Sequence, residues 1–532
     1  MTGRIEPLVM DDGWTGSRPT SDLVSDLPHR VNDLASRWAE LARDRPALIE
    51  KSGHWTYGEL PAIVAEARRF LGEAGIRPGD RVMVVAENCR ALVALLLAAW
   101  SLDSWAAIVN ARLSEREVDQ IRKHSGARRV LYTVAVSAHA RGHAERHGAT
   151  NHETRFGRIA LGPLNAGSVP EAVERDGARQ VAALIYTSGT TGHPKGVMLT
   201  HRNLLFVAKM SGMLRSLGPE DRVLGVLPIS HILGLSVVLL GSLYHGASLH
   251  LAPRFDPSET LAALARGRLT FMLGAPGMYA LLGEYAKAKG IPRIEAPGLR
   301  VIASAGAPLD SGIKESTERL LGLPLNNGYG VTEMAPTVSQ TLPDRPRPDL
   351  SVGPLWPGVE AKLVGQGGRA VPEGEIGELH VRGPNLMKGY YRAPEDTDAA
   401  IDEQGWLNTR DLARFEDDHL FIVGRAQELI VRFGFNVYPP EVEAVLNAHP
   451  AVTQSAVIGR PVAGSEDILA FVQTAPGASV TVAQLTAHAA ASLAPYKRPS
   501  TIFLVSKLPA GPTGKILKSA LPALAEELAR RG

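Results

Sequence analysis

Two lysines stand in settings that suit phosphate. The first, Lys195, ends the string YTSGTTGHPKG at residues 186–196. An apolar run, VAALIYTS, delivers the chain to Thr187, Ser188, Gly189, Thr190, Thr191 and Gly192. Hydroxyls donate hydrogen bonds, and glycines let the backbone approach phosphate oxygens. With the lysine as a point charge, the loop makes an anion cradle. The same composition also describes a solvated loop. The second lysine, Lys515, follows a Pro-Thr-Gly turn in GPTGKILKSAL and opens an expected helix. Ile516 stands where a Walker loop needs Ser or Thr for magnesium, so a P-loop of that kind does not fit. Lys518, one helical turn on, reads as a solvated surface residue.

Other reactive side chains are scattered. NNGYGVTE at residues 326–333 ends in Thr332 and Glu333, and alone it reads as a surface turn. GWLNTRDLARF carries Asp411, whose two oxygens suit two vicinal hydroxyls. His231 lies among apolar residues in LPISHILGL, the usual setting of a core or loop histidine. No serine elbow or Cys-His pair offers a protein nucleophile. The single cysteine, Cys89, excludes an intrachain disulfide and a cysteine zinc site, and reads as a small buried hydrophobe.

These residues need a large scaffold. A chain of 532 residues implies two or more domains. Its hydrophobic fraction of 45% and charged fraction of 21% are those of a globular protein. A net charge of +2 argues against nucleic acid or an anionic membrane as the main partner. The longest apolar runs, ALVALLLAAW and GLSVVLLGSLY, are too short to span a bilayer. The first residues lack the apolar core of a signal peptide, so a cytoplasmic location is expected.

From residue 28, strand and helix patterns alternate. RVNDLASRWAEL reads as an amphipathic helix, DRVMVVAEN as a buried strand, and RALVALLLAAWSL as a helix. DRVLGVLPIS, ASLHLAP, RLTFMLGAP and LRVIASAG are further apolar strands. Such alternation predicts doubly wound parallel sheets, an α/β fold. After residue 350, VEAKLVG, GEIGELHVRG and HLFIVGR predict a β-rich subdomain. The last stretch reads as a small α+β unit.

The whole string YTSGTTGHPKG resembles the signature of the adenylate-forming superfamily of acyl-CoA synthetases, luciferases and nonribosomal adenylation domains. The other pieces follow in that family's order, from WTYGEL to PTGK. The resemblance implies a large domain over residues 1–424, a hinge at 425–427 and a mobile small domain over 428–532. It also implies ATP, Mg2+ and coenzyme A as reactants or cofactor. ATP would lie on the residues of the 187–195 loop, with Gly306 and Ala307 of SAGAPL against adenine. Tyr329 would stack on adenine between Gly328 and Gly330, with Asn327 near the exocyclic amine. Thr332 would hold the α-phosphate, Glu333 would ligate Mg2+, and Asp411 would bind ribose. Arg425 would contact ribose or phosphate. Gln427 takes the hinge position, where the family usually has Asp or Lys. Gly434 falls where coenzyme A's pantetheine passes, although a lone glycine also reads as a bulge. Many members have Gly where Arg410 stands, and Arg would be strained if that position needs a positive φ. GELHVRGPNLMKGYYRAPEDT matches a structural motif with no catalytic role implied.

The implied reaction joins a carboxylic acid to coenzyme A through an acyl-AMP. Lys515, on the mobile domain, would bridge the carboxylate and α-phosphate in the first half only. His231 would line the acyl site and gate the thiol. The alternative is an enzyme that loads a carrier protein, and a third reading is a non-catalytic nucleotide-binding protein. No Asp or Glu occurs between Leu224 and Tyr244, so a substrate ammonium would lack a partner there. The junction EDDHLFIVGRAQELI lacks the insertion of fatty acyl-AMP ligases. Phe206, His231, Leu233, Gly274, Ala303 and Met334 are acyl-pocket candidates by position, each equally readable as core. Gly274 leaves room for a ring or medium chain. An aromatic or medium-chain aliphatic monocarboxylate is expected, on a monomer or homodimer.

Overall fold

The computed structural model describes residues 20–188, 194–365, 367–432, 435–462, 465–475, 477–511 and 516–531. Two eight-stranded sheets carry most of it. In the first, the strands lie in the order Thr337–Gln340, Leu325–Gly330, Val301–Ser304, Phe271–Gly274, Arg222–Gly225, Ser248–Leu251, Pro46–Glu50 and Gly53–Thr56. The second runs Gly389–Tyr390, Pro194–Thr200, Val181–Ser188, Trp105–Asn110, Arg81–Ala86, Arg129–Tyr132, Gly157–Leu161 and Thr150–Thr154. The inner strands pair in parallel, as their near-continuous apolar runs predict. The edges do not: short returns such as Glu50 to Gly53 and Thr154 to Gly157 can make only antiparallel pairs.

The core lies between these layers. Helix Arg90–Ser101 buries every residue from Ala91 to Trp100, as a helix apolar all round must. Trp100 Nε1 donates to the Ala182 carbonyl at 2.8 Å, so the buried indole is satisfied. The apolar run at Leu233–Leu240 is a wide π-helix, buried throughout. Helices of this type recur beside functional sites, and this one follows His231 directly.

The β-rich subdomain is an antiparallel sheet of Glu360–Val364, Gly377–Arg382, Leu407–Glu416 and His419–Arg425. The last unit has a ribbon, Ile430–Arg432 with Phe435–Val437, and a sheet of Val452–Val462, Ser465–Thr474 and Thr501–Val505. Alternation along the middle strand sorts its two faces. Ile468, Ala470 and Val472 pack with helices Pro439–Asn447 and Val482–Ser492, whereas Leu469 and Phe471 pack with Leu521 and Ala525.

Two expectations change. RVNDLASRWAEL is a 3-10 turn, Val31–Asp33, and one helical turn, Leu34–Arg37. Trp38 then leaves the helix to donate from Nε1 to the Tyr244 carbonyl at 3.0 Å. The last helix begins at Leu521, after a 3-10 turn over Lys518–Ala520, and not at Lys515. Pro522 sets that start, because proline is tolerated in a helix only in its first turn. Cys89 is buried as expected, and burial pushes its thiol up to about 12. Among the described residues, no helix is long and apolar enough to cross a membrane.

Arg410 does occupy a left-handed backbone position, at φ +61°. Its N–H donates to Asn408 Oδ1 at 2.8 Å, and its side chain is exposed. The local turn, not the side chain, holds this conformation. Arg410→Gly therefore keeps or raises the urea unfolding midpoint. Arg410→Val lowers stability by about 1–3 kcal/mol, because a β-branched residue fits this region worst. A valine variant as stable as the parent would contradict the assignment.

Candidate functional site

The turn Thr332–Met334 sits at the centre of the site. Gly330 leads into it, and a Cβ there would lie 2.0 Å from the Pro336 carbonyl oxygen, so only glycine fits. Two buried side chains clamp the turn from below. Asn385 Nδ2 donates to the carbonyls of Met334 at 2.6 Å and Thr337 at 2.8 Å. Ser236 Oγ, from the π-helix, donates to the Ala335 carbonyl at 2.6 Å. Thr332 and Glu333 are left half-buried above this clamp.

Lys195 reaches the same place from the other sheet. Strand Gly389–Tyr390 pairs with Pro194–Thr200, and Tyr391 N–H donates to the Gly196 carbonyl at 2.8 Å. Tyr390 is thereby set beside Lys195, whose Nζ lies 5.2 Å from the ring centroid, within cation–π range. The Tyr390 hydroxyl donates to Glu333 Oε1 at 2.8 Å. Burial, with the Glu333 charge beside it, raises the Tyr390 pKa, so the phenol remains a donor. Lys195 Nζ also pairs with Asp396 at 2.7 Å. The segment carrying Tyr390 and Asp396 thus touches both Glu333 and Lys195. Nothing in a single sequence links residues this far apart.

A second group lies along Tyr329. Its hydroxyl donates to Asp411 Oδ2 at 2.5 Å, and Arg425 Nε lies 3.2 Å from Asp411 Oδ1. Asp411 is 5% exposed and so needs these partners. Burial and the neighbouring carboxylate raise the Tyr329 pKa. Asn327 Nδ2 donates to the Leu350 and Ser351 carbonyls at 3.2 and 3.3 Å. Those bonds fix the amide and engage its nitrogen as donor. Gly306, at φ +85°, holds its loop beside Leu233, whose Cδ2 lies 3.7 Å from where a Cβ would sit. Ala307 is half-buried next to it.

His231 is half-buried, and its Nδ1 accepts from Leu233 N–H at 3.3 Å. Asn88 holds this loop, although a lone Asn carries no signal in a sequence. Its Nδ2 donates to the carbonyls of Gly225 and Leu227, and its Oδ1 accepts from Ile229 N–H.

Several acyl-pocket candidates are corrected. Phe206 and Met334 have no accessible surface, so they are core and line no cavity that water can enter. Gly274 leaves no room: a Cβ there would meet the Tyr279 ring at 3.3 Å and Met278 at 3.6 Å. Ala303, 3% exposed, and Leu233, 7% exposed, remain as slightly open apolar residues, and Leu233 N–H bonds to His231. Lys518 is not a solvated residue either: it pairs with Glu428 and Glu443. Gln427 is exposed in the turn Ala426–Glu428. Gly189, Thr190, Thr191, Gly192, Gly434 and Lys515 lie outside the described residues, as does the side chain of Ser188. Thr187, whose strand register pairs it with Lys195, is half-buried.

Among the described residues, no three His, Cys, Asp or Glu side chains gather as a metal cage. One carboxylate, Glu333, fits a magnesium ion that takes its other ligands from nucleotide phosphates and water.

Tyr329→Phe removes a buried hydrogen bond to a charged group and leaves the ring. It lowers stability by about 1.5–3 kcal/mol in urea unfolding. An unchanged midpoint would show that the bond to Asp411 contributes nothing.

Comparison with known proteins places this geometry in context. The family model described as AMP-binding enzyme matches residues 35–391, and that of the AMP-binding enzyme C-terminal domain matches 441–515. A feruloyl-CoA synthase of Amycolatopsis sp is 34% identical over 472 residues, covering 87% of this chain and 92% of that one. The ATP-bound crystal structure of MatB from Rhodopseudomonas palustris superposes with a TM-score of 0.82 at 30% identity, covering 94% of this chain and 99% of that one. The o-succinylbenzoate CoA synthetase of Bacillus subtilis, in complex with its acyl-adenylate, gives a TM-score of 0.78 at 28% identity, covering 92% and 97%.

Proposed function

Because the chain belongs to the AMP-binding enzyme family, we propose that it is an AMP-forming acid–CoA ligase acting through an acyl-adenylate. The observation that carries this reading is one phenol. Tyr390 sits beside the cation Lys195 with its ring and beside the carboxylate Glu333 with its hydroxyl. A phosphate-binding cation and a magnesium-binding carboxylate held this way can grip one polyphosphate from two sides.

The proposed roles follow the geometry. Lys195, in exchange for Asp396, pairs with the β- and γ-phosphates beside the 187–192 loop. Thr332 donates to the α-phosphate. Asp411, oriented by Tyr329 and Arg425, accepts from the ribose hydroxyls. The Tyr329 ring supports adenine, flanked by Gly306 and Ala307. The Asn327 amide oxygen accepts from adenine's exocyclic amine. Glu333 would hold Mg2+, which when bound supplies positive charge to the phosphates. A substrate carboxylate oxygen attacks the α-phosphorus, and the bond to the β-bridging oxygen breaks, releasing pyrophosphate. Both reacting groups are negative, so cations and in-line positioning lower the barrier. Lys515 supplies the last cation, between carboxylate and α-phosphate.

The thiol of coenzyme A then attacks the acyl carbonyl, and AMP leaves. For this, residues 428–532 turn about a hinge at 425–427, relative to 1–424, taking Lys515 away. Gln427 is the pivot, and Gly434 lies on the pantetheine path. His231 gates that path. The acid is an aromatic or medium-chain monocarboxylate. Leu233 and Ala303 support an apolar group, and the feruloyl-CoA synthase relative supports an aromatic one. The filled space at Gly274 lends no support to a long chain.

A panel of aromatic and aliphatic acids, followed by pyrophosphate release with and without coenzyme A, tests this. Acid-dependent release, with thioester formed when coenzyme A is present, is expected. No release with any acid would refute the ligase reading, and release without thioester would indicate a carrier-protein acceptor. Lys515→Ala lowers acid-dependent pyrophosphate release by about 100-fold or more, and largely spares thioester formation from supplied acyl-AMP. Equal loss of both half-reactions would contradict the role given to Lys515.

A further inference from the structure

Lys518 stands three residues beyond Lys515. Its side chain is 20% exposed, and Nζ lies 2.9 Å from Glu428 Oε2 and 2.8 Å from Glu443 Oε1. The two carboxylates belong to different elements. Glu428 ends the 3-10 turn Ala426–Glu428, directly after strand His419–Arg425. Glu443 lies on helix Pro439–Asn447 and is 14% exposed. Its Oε1 also accepts from Val457 N–H at 2.8 Å, which ties that helix to strand Val452–Val462. Burial disfavours the Lys518 ammonium, yet Glu443 and Glu428 outweigh it and raise its pKa.

The other side of this junction is also tied. Ala510 and Ile516 form a bridge across the segment that contains Lys515, and Leu517 N–H donates to the Pro509 carbonyl at 2.8 Å. The segment's two ends are thus held together, and Lys518 fastens them to a helix and to the turn beside Gln427. Ordering a lysine side chain costs rotamer entropy, and a role in solubility would not require two carboxylate partners.

We propose that Lys518 is a positioning residue for adenylation: its pairs with Glu428 and Glu443 make the base of the Lys515 segment and the exit of the hinge one rigid unit. The proposal rests on the reading that Lys515 acts in the first half-reaction. When the small domain turns, the unit carries Lys515 to the same place each time. Thioester formation, which does not use Lys515, does not need that precision.

The test compares Lys518→Ala, Lys518→Arg, Glu428→Gln and Lys515→Ala in the full-length protein. Adenylation is read as pyrophosphate release with ferulate or the fastest acid of the panel. Thioester formation is read from that acid's supplied acyl-AMP and coenzyme A. Lys518→Ala lowers the adenylation kcat by about 10- to 100-fold with little change in the KM for ATP, as expected of a misplaced catalytic group. Thioester formation stays within about twofold, and Lys518→Arg restores adenylation, since a guanidinium can pair with both carboxylates. If Lys518→Ala does not fold, Glu428→Gln, which removes one charge and keeps the shape, shows the same split at smaller size. Parent-like adenylation in Lys518→Ala and Glu428→Gln would overturn the proposal, as would equal loss in both half-reactions. If Lys515→Ala itself retains adenylation, the failure lies in the Lys515 reading and not in the staple.

Discussion

The Tyr390 ring stands 5.2 Å from the ammonium of Lys195, and its hydroxyl donates to Glu333 at 2.8 Å. Two opposite charges that belong to separate sheets are thus spaced by one neutral side chain. A direct Lys195–Glu333 pair would satisfy both and leave neither for a ligand. With the phenol between them, Lys195 pairs instead with Asp396, 45% exposed, a partner that a polyphosphate can displace. Exposed pairs contribute about 0.2–1 kcal/mol, so this exchange costs little. Much of the fold serves this spacing. The strand pairing of Tyr390 with Val197 sets the ring, and the Asn385 and Ser236 clamps set the Glu333 turn.

Burial is used differently on the nucleoside side. Asp411 is nearly closed off, and it takes a phenol on one oxygen and a guanidinium on the other. Arg425, half exposed, lies at the end of the strand that leads into Gln427. A group proposed to touch ribose therefore adjoins the proposed hinge. The left-handed backbone at Arg410 comes just before Asp411 and is held by the bond from Arg410 N–H to Asn408 Oδ1.

What was legible in the sequence has two sources. The apolar runs at 81–86, 181–188 and 301–304 announced buried strands because parallel strands covered on both faces carry no polar alternation. Lys195, Thr332, Glu333 and Asp411 were picked out in the sequence through the family resemblance of the strings that hold them, not through local chemistry alone. Tyr390, Asp396, Asn385 and Asn88 were not, since each acts on a partner brought near only by folding. Gly274 misled for the same reason: its missing side chain suggested space, and Tyr279 from the following helix fills it. Lys518 misled because a lysine among Leu, Ser and Ala looks solvated until Glu428 and Glu443 arrive from other elements.

The central claim is that the acid's own carboxylate attacks the α-phosphorus of ATP in this cleft. Isotope transfer tests it most directly. The acid is prepared with 18O in both carboxylate oxygens and turned over with ATP and coenzyme A, and the products are weighed by mass spectrometry. The account predicts one 18O atom in each AMP and none in pyrophosphate. AMP free of label, or label in inorganic phosphate with ADP as the nucleotide product, would contradict it.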